Sequence, residues 1–501
     1  MKTWLDRTTG AVPMYKLVLI SLLILEVAAI VFSALGLVSR DPLGIVVSSL
    51  VAVAASVGAT WVVARILRVK LHLESSLITG MLVFFVLEPK LELLPMLGVA
   101  LAASIAGASK FALAVRGRHI FNPAAVGSLI VGAIGLSYPA WWAGTPALLP
   151  FVAGAGFLIL YRTQRLTLGL FFIALTAAVF AVRIGLAGGT VSDWLGLALL
   201  SSPVVFLAVF MLSEPLTLPP RRWQQLLIGA IVAVLVAVPF SPWLFNKVLF
   251  ALLIGNLIAF LFGQRRAIRL TSLGKKQLSP TTWELSFQPS RPVRFLPGQY
   301  MELTIPHRGA DFRGSRRYFS ISSAPSDSGP ITFAITMPSK SSSFKQALLD
   351  LEPGATVHGT GVGGDFALPS QGDEPLLLVA GGIGITPFAS QLAHATESGT
   401  KRDVVVVYAN STPGELPYSA LLEKSGARVV LFSPTEPSPL PHGWTYAGSG
   451  RVTGERLAAT VADAASRRTF ISGPPALVTD LRRALRSLGT RRVHTDYFSG
   501  Y

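Results

Sequence analysis

The chain has no cysteine among its 501 residues. That absence excludes disulfides, thiolate-held iron–sulfur clusters and catalytic thiols within this chain. Any redox chemistry here has to use an organic cofactor, haem or a partner's centres. Charge is scarce as well: 14% of residues are charged against 51% hydrophobic, too apolar for an ordinary soluble protein. Acids are scarcer still, 26 against 43 Lys and Arg, and the imbalance is uneven. Residues 1–270 hold 20 basic and 8 acidic side chains, and the remainder 23 and 18. A basic excess can serve nucleic acid, but these cations sit between apolar runs. That favours a lipid bilayer with anionic headgroups and no nucleic-acid partner. Histidine is also thin: residues 1–270 hold only His72 and His119, too few for the axial pairs that two haems need.

What is present in the N-terminal half is a succession of apolar segments. They fall at about 17–38, 43–64, 76–88, 92–114, 123–138, 146–161, 166–187, 194–213, 224–240 and 243–263. Several reach the roughly 20 residues that a bilayer crossing needs, so the pattern predicts an α-helical membrane domain of about ten transmembrane helices over residues 1–264. The segments at 76–88 and 123–138 are short, as broken or re-entrant helices that line a site are. Met1–Lys16 is short, polar and basic, and reads as a cytoplasmic tail. Of the 20 cations, 16 lie on alternate loops, among them Arg65, Arg68, Lys70, Arg116, Arg118, Arg265 and Arg266. The other side holds Arg40, Lys90, Arg183 and Lys247. By the positive-inside rule both ends of this domain face the cytoplasm. The expected location is the inner (cytoplasmic) membrane, multi-pass, with both termini and the soluble half cytoplasmic.

Two stretches of this half carry more than apolar filler. Arg116-Gly-Arg-His-Ile-Phe-Asn-Pro-Ala-Ala-Val-Gly127 sets a basic turn ahead of a helix, with Asn122 near its cap and Pro123 in its first turn. Free N–H groups and the positive helix end there suit an anion, and a plain capped helix reads the same way. Met211-Leu-Ser-Glu-Pro-Leu-Thr-Leu-Pro-Pro220 places Glu214 and Thr217 at a helix end, as a site or a terminus does. With Leu77-Ile-Thr79-Gly80 and Phe121-Asn-Pro-Ala-Ala, these segments resemble the membrane subunit shared by the Rnf complex (its D subunit) and the sodium-pumping NADH:quinone oxidoreductase (its B subunit). The resemblance spans about residues 40–263 and implies a flavin-bearing electron carrier, with Asn122, Thr79, Glu214 and Thr217 as candidate cofactor contacts. One departure stands out. The Ser-Gly-Ala-Thr motif that carries covalent FMN in that family is missing between the two segments, which leaves a second, non-covalent flavin or a quinone.

Soluble composition takes over by about Leu270. Residues 271–368 alternate apolar and polar positions and are punctuated by Pro and Gly, as in a small antiparallel β-barrel. Within them lies Arg316-Arg317-Tyr318-Phe319-Ser320-Ile321-Ser322-Ser323. A guanidinium holds a phosphate by a two-pronged bond, an aromatic face lies against a planar ring, and a hydroxyl reaches a ring nitrogen. Those are the needs of a flavin nucleotide. Residues 371–501 then alternate strands and helices, as an α/β doubly wound domain does. The run Pro375–Ala380 leads at once into Gly381-Gly382-Ile-Gly384-Ile-Thr386-Pro387 and a helix, a turn that lets backbone N–H groups approach a pyrophosphate.

Arg317-x-Phe319-Ser320 resembles the flavin motif of the ferredoxin–NADP reductase superfamily, and the motifs after it keep that superfamily's order. The resemblance implies FAD on residues 265–370 and NAD(P)H on residues 371–501. By resemblance Arg317 holds the flavin phosphate, Phe319 packs on the isoalloxazine and Ser320 lies near its N5, with Tyr318 and Ser322 beside them. Ser342 and Ser343, at a helix start, suit the pyrophosphate, and an N-cap would look the same. Gly381, Gly382, Gly384, Thr386 and Pro387 form the nicotinamide-nucleotide loop, Asn410 and Ser411 meet the adenosine ribose, and Gly473 and Pro474 hold the nicotinamide. Asp496, Phe498 and Tyr501 are the acid and aromatics that approach the flavin, which makes Ser320, Asp496 and Tyr501 the candidate catalytic residues. No metal site is expected. The combined expectation is a membrane-bound NAD(P)H-dependent FAD oxidoreductase whose acceptor is a quinone, a flavin or a partner redox protein. Two alternatives stay open: a reductase with the membrane half as an anchor only, and a redox-coupled ion transporter, for which Glu26 and Arg183 speak.

Overall fold

A computed structural model describes the chain apart from residues 1–13, 68–71, 116–117, 164, 202, 220, 239–245, 263–267, 308–314, 340, 370–373, 491 and 499–501. Most of the N-terminal tail, Arg68, Lys70, Arg116, Arg265, Arg266 and Tyr501 therefore lie outside the described residues. The chain divides into two units, Met1–Arg265 and Arg266–Tyr501.

The N-terminal unit is helical, and two of its helices begin where the sequence supplies a capping side chain. Asp41 accepts from the Gly44 N–H at 2.6 Å to start Pro42–Ile66. Asn122 accepts from the Ala125 N–H at 3.0 Å to start Pro123–Ala133, with Pro123 in the first turn where its missing N–H costs nothing. Among the described residues four helices are long and apolar enough to cross a membrane: Met14–Ala34, Pro42–Ile66, Leu93–Ala112 and Leu166–Leu186. The expected count of about ten spans is corrected to these four. Leu73–Val86, Pro123–Ala133, Leu149–Arg162, Arg222–Ala237 and Lys247–Phe262 are shorter, with 11 to 16 residues each. At about 1.5 Å of rise per residue such helices cover roughly 16–24 Å, short of a hydrocarbon core of about 30 Å. The segment expected at 194–213 is broken into α and π pieces between Val191 and Leu212.

The long and short helices also differ in what surrounds them. Met14–Ala34 leaves Ile24, Val27 and Val31 exposed. In Leu73–Val86 every side chain from Thr79 to Val86 is buried. Gly80 makes that enclosure possible, since a Cβ there would stand 2.7 Å from the Val53 Cα. The end of this helix is held by the segment after Pro123–Ala133: Leu87 and Pro139 form an antiparallel bridge, and the Trp142 indole N–H donates to the Phe84 carbonyl at 3.0 Å. A two-strand hairpin, β1 (Ala114–Val115) and β2 (Arg118–His119), precedes Asn122.

The C-terminal unit holds two six-stranded sheets. The first is antiparallel, from β3 (Ile268–Gln277), β4 (Thr282–Pro289), β5 (Tyr300–Thr304), β6 (Arg316–Ser320), β7 (Ile331–Thr336) and β8 (Thr356–Gly363), in the order β6-β5-β8-β3-β4-β7. Alternation of buried and exposed residues at the start of β3 places one face on a core of Leu270, Phe287, Phe333 and Phe344. The outer strands approach through one bridge, Ile321 to Phe333. The second sheet is parallel throughout, from β9 (Leu376–Gly381), β10 (Val404–Ala409), β11 (Arg428–Phe432), β12 (Trp444–Tyr446), β13 (Arg468–Gly473) and β14 (Val493–Tyr497), in the order β12-β11-β10-β9-β13-β14. Every residue of β9 is buried, as expected of a central strand with helices on both faces. The order reverses between β10 and β13 beside β9, the kind of switch point that opens a crevice at the strands' carboxyl ends.

Candidate functional site

On β6 the strand's alternation separates Arg317 and Phe319 from Tyr318 and Ser320. Phe319 is half-buried and stacks on Phe344, 5.9 Å between centroids and 23° between planes. The Arg317 guanidinium lies 5.3 Å over the same Phe344 ring. Tyr318 is exposed and meets Tyr300 edge to face at 5.3 Å, whereas Ser320 is buried. Ser322 lies past the strand's end and turns inward, sharing a hydrogen bond with the Thr332 hydroxyl at 2.8 Å and donating to Glu284 at 3.4 Å. Ser342 caps the helix Ser343–Leu349 by accepting from the Lys345 N–H. The Ser343 hydroxyl lies 3.0 Å from Nε2 of His307, whose Nδ1 lies 2.9 Å from the Ile305 carbonyl. His307 was not expected here; a lone histidine in a Pro-flanked segment gave no signal.

The glycine loop at the end of β9 lies against the end of β13. A Cβ on Gly384 would stand 2.6 Å from the Ser472 carbonyl carbon and 2.8 Å from the Gly473 Cα. A Cβ on Gly473, whose φ is +150°, would meet the Gly381 backbone at 3.0 Å. Gly382 (φ +53°) has open space where a side chain would go. Two carboxyl strand ends are thus pressed together at backbone distance, leaving a bare peptide surface beside the start of the helix Thr386–Glu397. Thr386 and Pro387 are both buried in its first turn, and the Thr386 hydroxyl donates to the Ile383 carbonyl at 3.0 Å. Pro474 caps the helix Pro475–Ser487. The Ser472 hydroxyl is fully buried and has no hydrogen-bond partner among the described residues.

Asn410 and Ser411 follow β10. Asn410 gives its amide N–H to the Glu415 carbonyl and accepts from the Thr412 N–H, so both ends of its side chain shape the loop. Ser411 is exposed. Asp496 on β14 pairs in register with Ser472. Burial, with the charge of Asp365 adding to it and the Tyr497 N–H opposing it, pushes the Asp496 carboxyl up to about 6. His494, two residues earlier, stacks on Phe470 at 4.6 Å and accepts from Arg468 at 3.2 Å; burial and the nearby Arg468 and Arg492 hold its pKa down. The Phe498 N–H donates to the Gly473 carbonyl at 2.9 Å, which ties the C-terminal segment to the crevice. Tyr501 lies outside the described residues.

The N-terminal unit assembles its own polar cluster. Glu214 accepts from Asn122 Nδ2 at 2.9 Å and lies 2.7 Å from His119 Nε2. The Asn122 N–H donates to Asn256 Oδ1 at 2.8 Å. Arg118 caps the Glu214 turn by donating to the carbonyls of Pro215, Leu216 and Leu218. Lys110, within electrostatic reach of Glu214, donates to the Ser75 carbonyl at 2.8 Å. The structure therefore brings Asn122, Glu214 and Thr217 together, the last donating to the Glu214 carbonyl at 3.4 Å. Thr79 instead bonds back to Ser75 within its own helix. Among the described residues no group of three or more His, Asp or Glu side chains is placed to hold a metal ion.

Residues 378–483 match the family model of the oxidoreductase NAD-binding domain. The chain is 27% identical over 229 residues to the stachydrine N-demethylase reductase subunit of Rhizobium meliloti, covering 44% of this chain and 64% of that protein. It is 30% identical over 226 residues to the toluate 1,2-dioxygenase electron transfer component of Pseudomonas putida, again covering 44% and 64%. It is 31% identical over 150 residues to ferredoxin–NADP reductase B of Sorangium cellulosum, covering 30% of this chain and 60% of that one. The C-terminal unit is a ferredoxin reductase-like FAD/NAD module. The chain spans less than two thirds of the length of each of these relatives. Within the reductase-like module the glycine crevice and the Arg317–Phe319 face fit the two nucleotides such a module takes.

Proposed function

We propose that this chain is a membrane-held NAD(P)H-dependent FAD oxidoreductase. Electrons taken from NAD(P)H would pass through FAD to a flavin or quinone in the N-terminal unit, and on to a membrane or extracytoplasmic acceptor. The observation that carries the reading is the backbone approach of Gly381 and Gly384 to Gly473, inside the stretch that matches an oxidoreductase NAD-binding domain. In this reading residues 1–264 form the membrane domain, 265–370 the FAD domain and 371–501 the nucleotide domain. The Ile321–Phe333 bridge between outer strands supports a closed barrel for the FAD domain.

Bound FAD would supply a ring that accepts a hydride and releases electrons singly. The chain's residues then have binding and positioning to do, since hydride transfer between stacked rings needs orientation above all. Arg317 neutralises phosphate charge, Phe319 supplies an aromatic face, and Ser320 offers a hydroxyl in a buried position. Gly381, Gly382 and Gly384 let the nucleotide's phosphates approach backbone N–H groups. Ser472 offers its hydroxyl beside Gly473 and Pro474. Asp496, whose carboxyl burial holds at about 6, would sit on the strand beside Ser472 as a group mostly ionised at neutral pH that takes up a proton just below it.

Membrane placement is supported by four long apolar helices with outward-facing aliphatic side chains, and by the bias of cations to alternate loops. A second reading, in which the N-terminal unit only anchors the reductase and the acceptor is a separate redox protein, is favoured by the relatives' description as reductase and electron transfer components. Detergent-purified full-length protein tests both. Retained FAD, its bleaching by NADH or NADPH, and quinone reduction support the first reading. Bleaching with no quinone reduction and no second chromophore supports the anchor. Colourless protein that consumes neither nucleotide with any artificial acceptor, after supply of FAD, overturns both.

A further inference from the structure

The loop that follows β10 is held to its own sheet at its first residue, where the Asn410 N–H donates to the Phe432 carbonyl at 2.8 Å, and to the other sheet further on. The Glu415 carboxylate, on a residue only 5% exposed, reaches the turn between β3 and β4 in the other sheet. There it accepts from the Ser279 hydroxyl at 2.5 Å, the Thr282 hydroxyl at 2.7 Å and the Thr281 N–H at 3.1 Å. Three residues on, Tyr418 stands in a left-handed conformation (φ +66°), uncommon for a bulky side chain, and its hydroxyl donates to Glu284 on β4 at 2.9 Å. Glu284 in turn accepts from Ser322, two residues beyond Ser320. A third tie, from the Ser390 hydroxyl to the Ser323 carbonyl at 2.6 Å, joins the helix after the glycine loop to the same segment.

We propose that Glu415 and Tyr418 form a clasp that fixes the nucleotide loop 409–412 relative to the flavin strand, and so act as positioning residues for hydride transfer. The inference rests on the reductase reading of the C-terminal unit. Its mechanical basis is the Asn410 side chain, which bonds to the carbonyl of Glu415. The residue expected at the adenosine ribose is thereby tied to the residue whose carboxylate grips the flavin-side sheet. The Glu415 carboxylate accepts from three donors of the other sheet's turn, which joins the loop to that sheet as well as to its own. The left-handed Tyr418 is where the chain turns to make the second contact, just before the helix Ser419–Lys424. The Glu415 carboxylate and the Tyr418 hydroxyl are both bonded to the other sheet. Both act through the spacing of the two sheets, and the rate of a hydride step falls by about a hundredfold for a misplacement of about 1 Å.

Anaerobic stopped-flow reduction of the full-length, FAD-loaded protein by NADH and by NADPH tests this. Glu415→Ala is expected to lower the limiting rate of flavin bleaching about tenfold or more and to raise the apparent Kd for the nucleotide, with flavin content unchanged. Tyr418→Phe, which removes one hydroxyl and keeps the ring's packing, is expected to lower the same rate about threefold. The long-wavelength absorbance of stacked nicotinamide and flavin is expected to weaken in the same order. Limiting rates and Kd within twofold of wild type in both variants overturn the clasp while leaving the reductase reading intact. So does a loss of rate that merely tracks loss of bound flavin in both variants. Wild-type protein that holds FAD but is bleached by neither nucleotide overturns the clasp and the reductase reading together.

Discussion

His119 and Glu214 hold each other at 2.7 Å across 95 positions of chain. The contact joins the hairpin before Asn122 to the turn that follows the broken helical segment, and Asn122 binds the second oxygen of the same carboxylate. Two segments from distant parts of the N-terminal unit are thereby pinned by a partly buried polar knot.

Removing the carboxylate should therefore loosen the N-terminal unit. Glu214→Ala takes an acceptor away from both His119 and Asn122 in a buried setting, and is expected to cost about 2–4 kcal/mol. Glu214→Gln, which keeps one acceptor, should cost about half as much. Thermal unfolding in detergent, followed by fluorescence of the buried Trp141 and Trp142, reads the difference.

Gly384→Ala presses a methyl group into the Ser472–Gly473 backbone, which cannot yield without parting β9 from β13. Overpacking of this kind costs about 1–3 kcal/mol. Nucleotide binding should weaken at least tenfold while FAD stays bound. Titration of nucleotide into the flavin-loaded variant, monitored by the flavin spectrum, checks both halves of the expectation.

Arg317→Met keeps much of the packing on Phe344 and removes the charge. Loss of a charge-assisted bond of about 1.5–3 kcal/mol corresponds to roughly a ten- to hundredfold weaker hold on FAD. Flavin retained through gel filtration is expected to fall sharply, with the circular dichroism of the module preserved.

Asp496 predicts a pH dependence. Its folded carboxyl titrates at about 6, above the usual carboxylate range, because burial disfavours the charged form. A proton is thus held more tightly in the folded chain than in the unfolded one. Its contribution to stability is fully present below about pH 4 and is lost as pH rises through about 6. Above pH 7 the ionised carboxylate costs up to about 3 kcal/mol. Asp496→Asn should match wild type near pH 4 and exceed it in melting temperature at pH 8; equal curves at both pH values would refute the assignment.

Much of this was legible in the sequence, for reasons that differ by element. The glycine loop after Ala380 could be read because backbone approach demands glycine wherever the chain runs. Arg317, Phe319 and Ser320 could be placed on a strand by alternation alone. Glu415 and Tyr418 could not be found, because a glutamate and a tyrosine in a loop look the same in sequence whether solvated or gripping a sheet 133 or 134 positions away. Ser322 looked like part of the flavin face, but the strand ends at Ser320 and the chain then crosses to β7, which turns its hydroxyl inward. Hydropathy also overcounted the helices long and apolar enough to cross a membrane. It registers apolar content and not continuity, so it could not see the π turns that break the stretch from Val191 to Leu212.

The enclosure of Leu73–Val86 sets an order of assembly. Its Phe84 and Phe85 rings rest on Trp142 and Phe206, parts of the chain synthesised long after it. A ribosome that has released only the first hundred residues has delivered a helix with no permanent neighbours on that side. The segment completes its packing only when its later-born wall arrives. Truncations that stop short of Phe206 should therefore be degraded in the cell, not accumulate as smaller folded proteins.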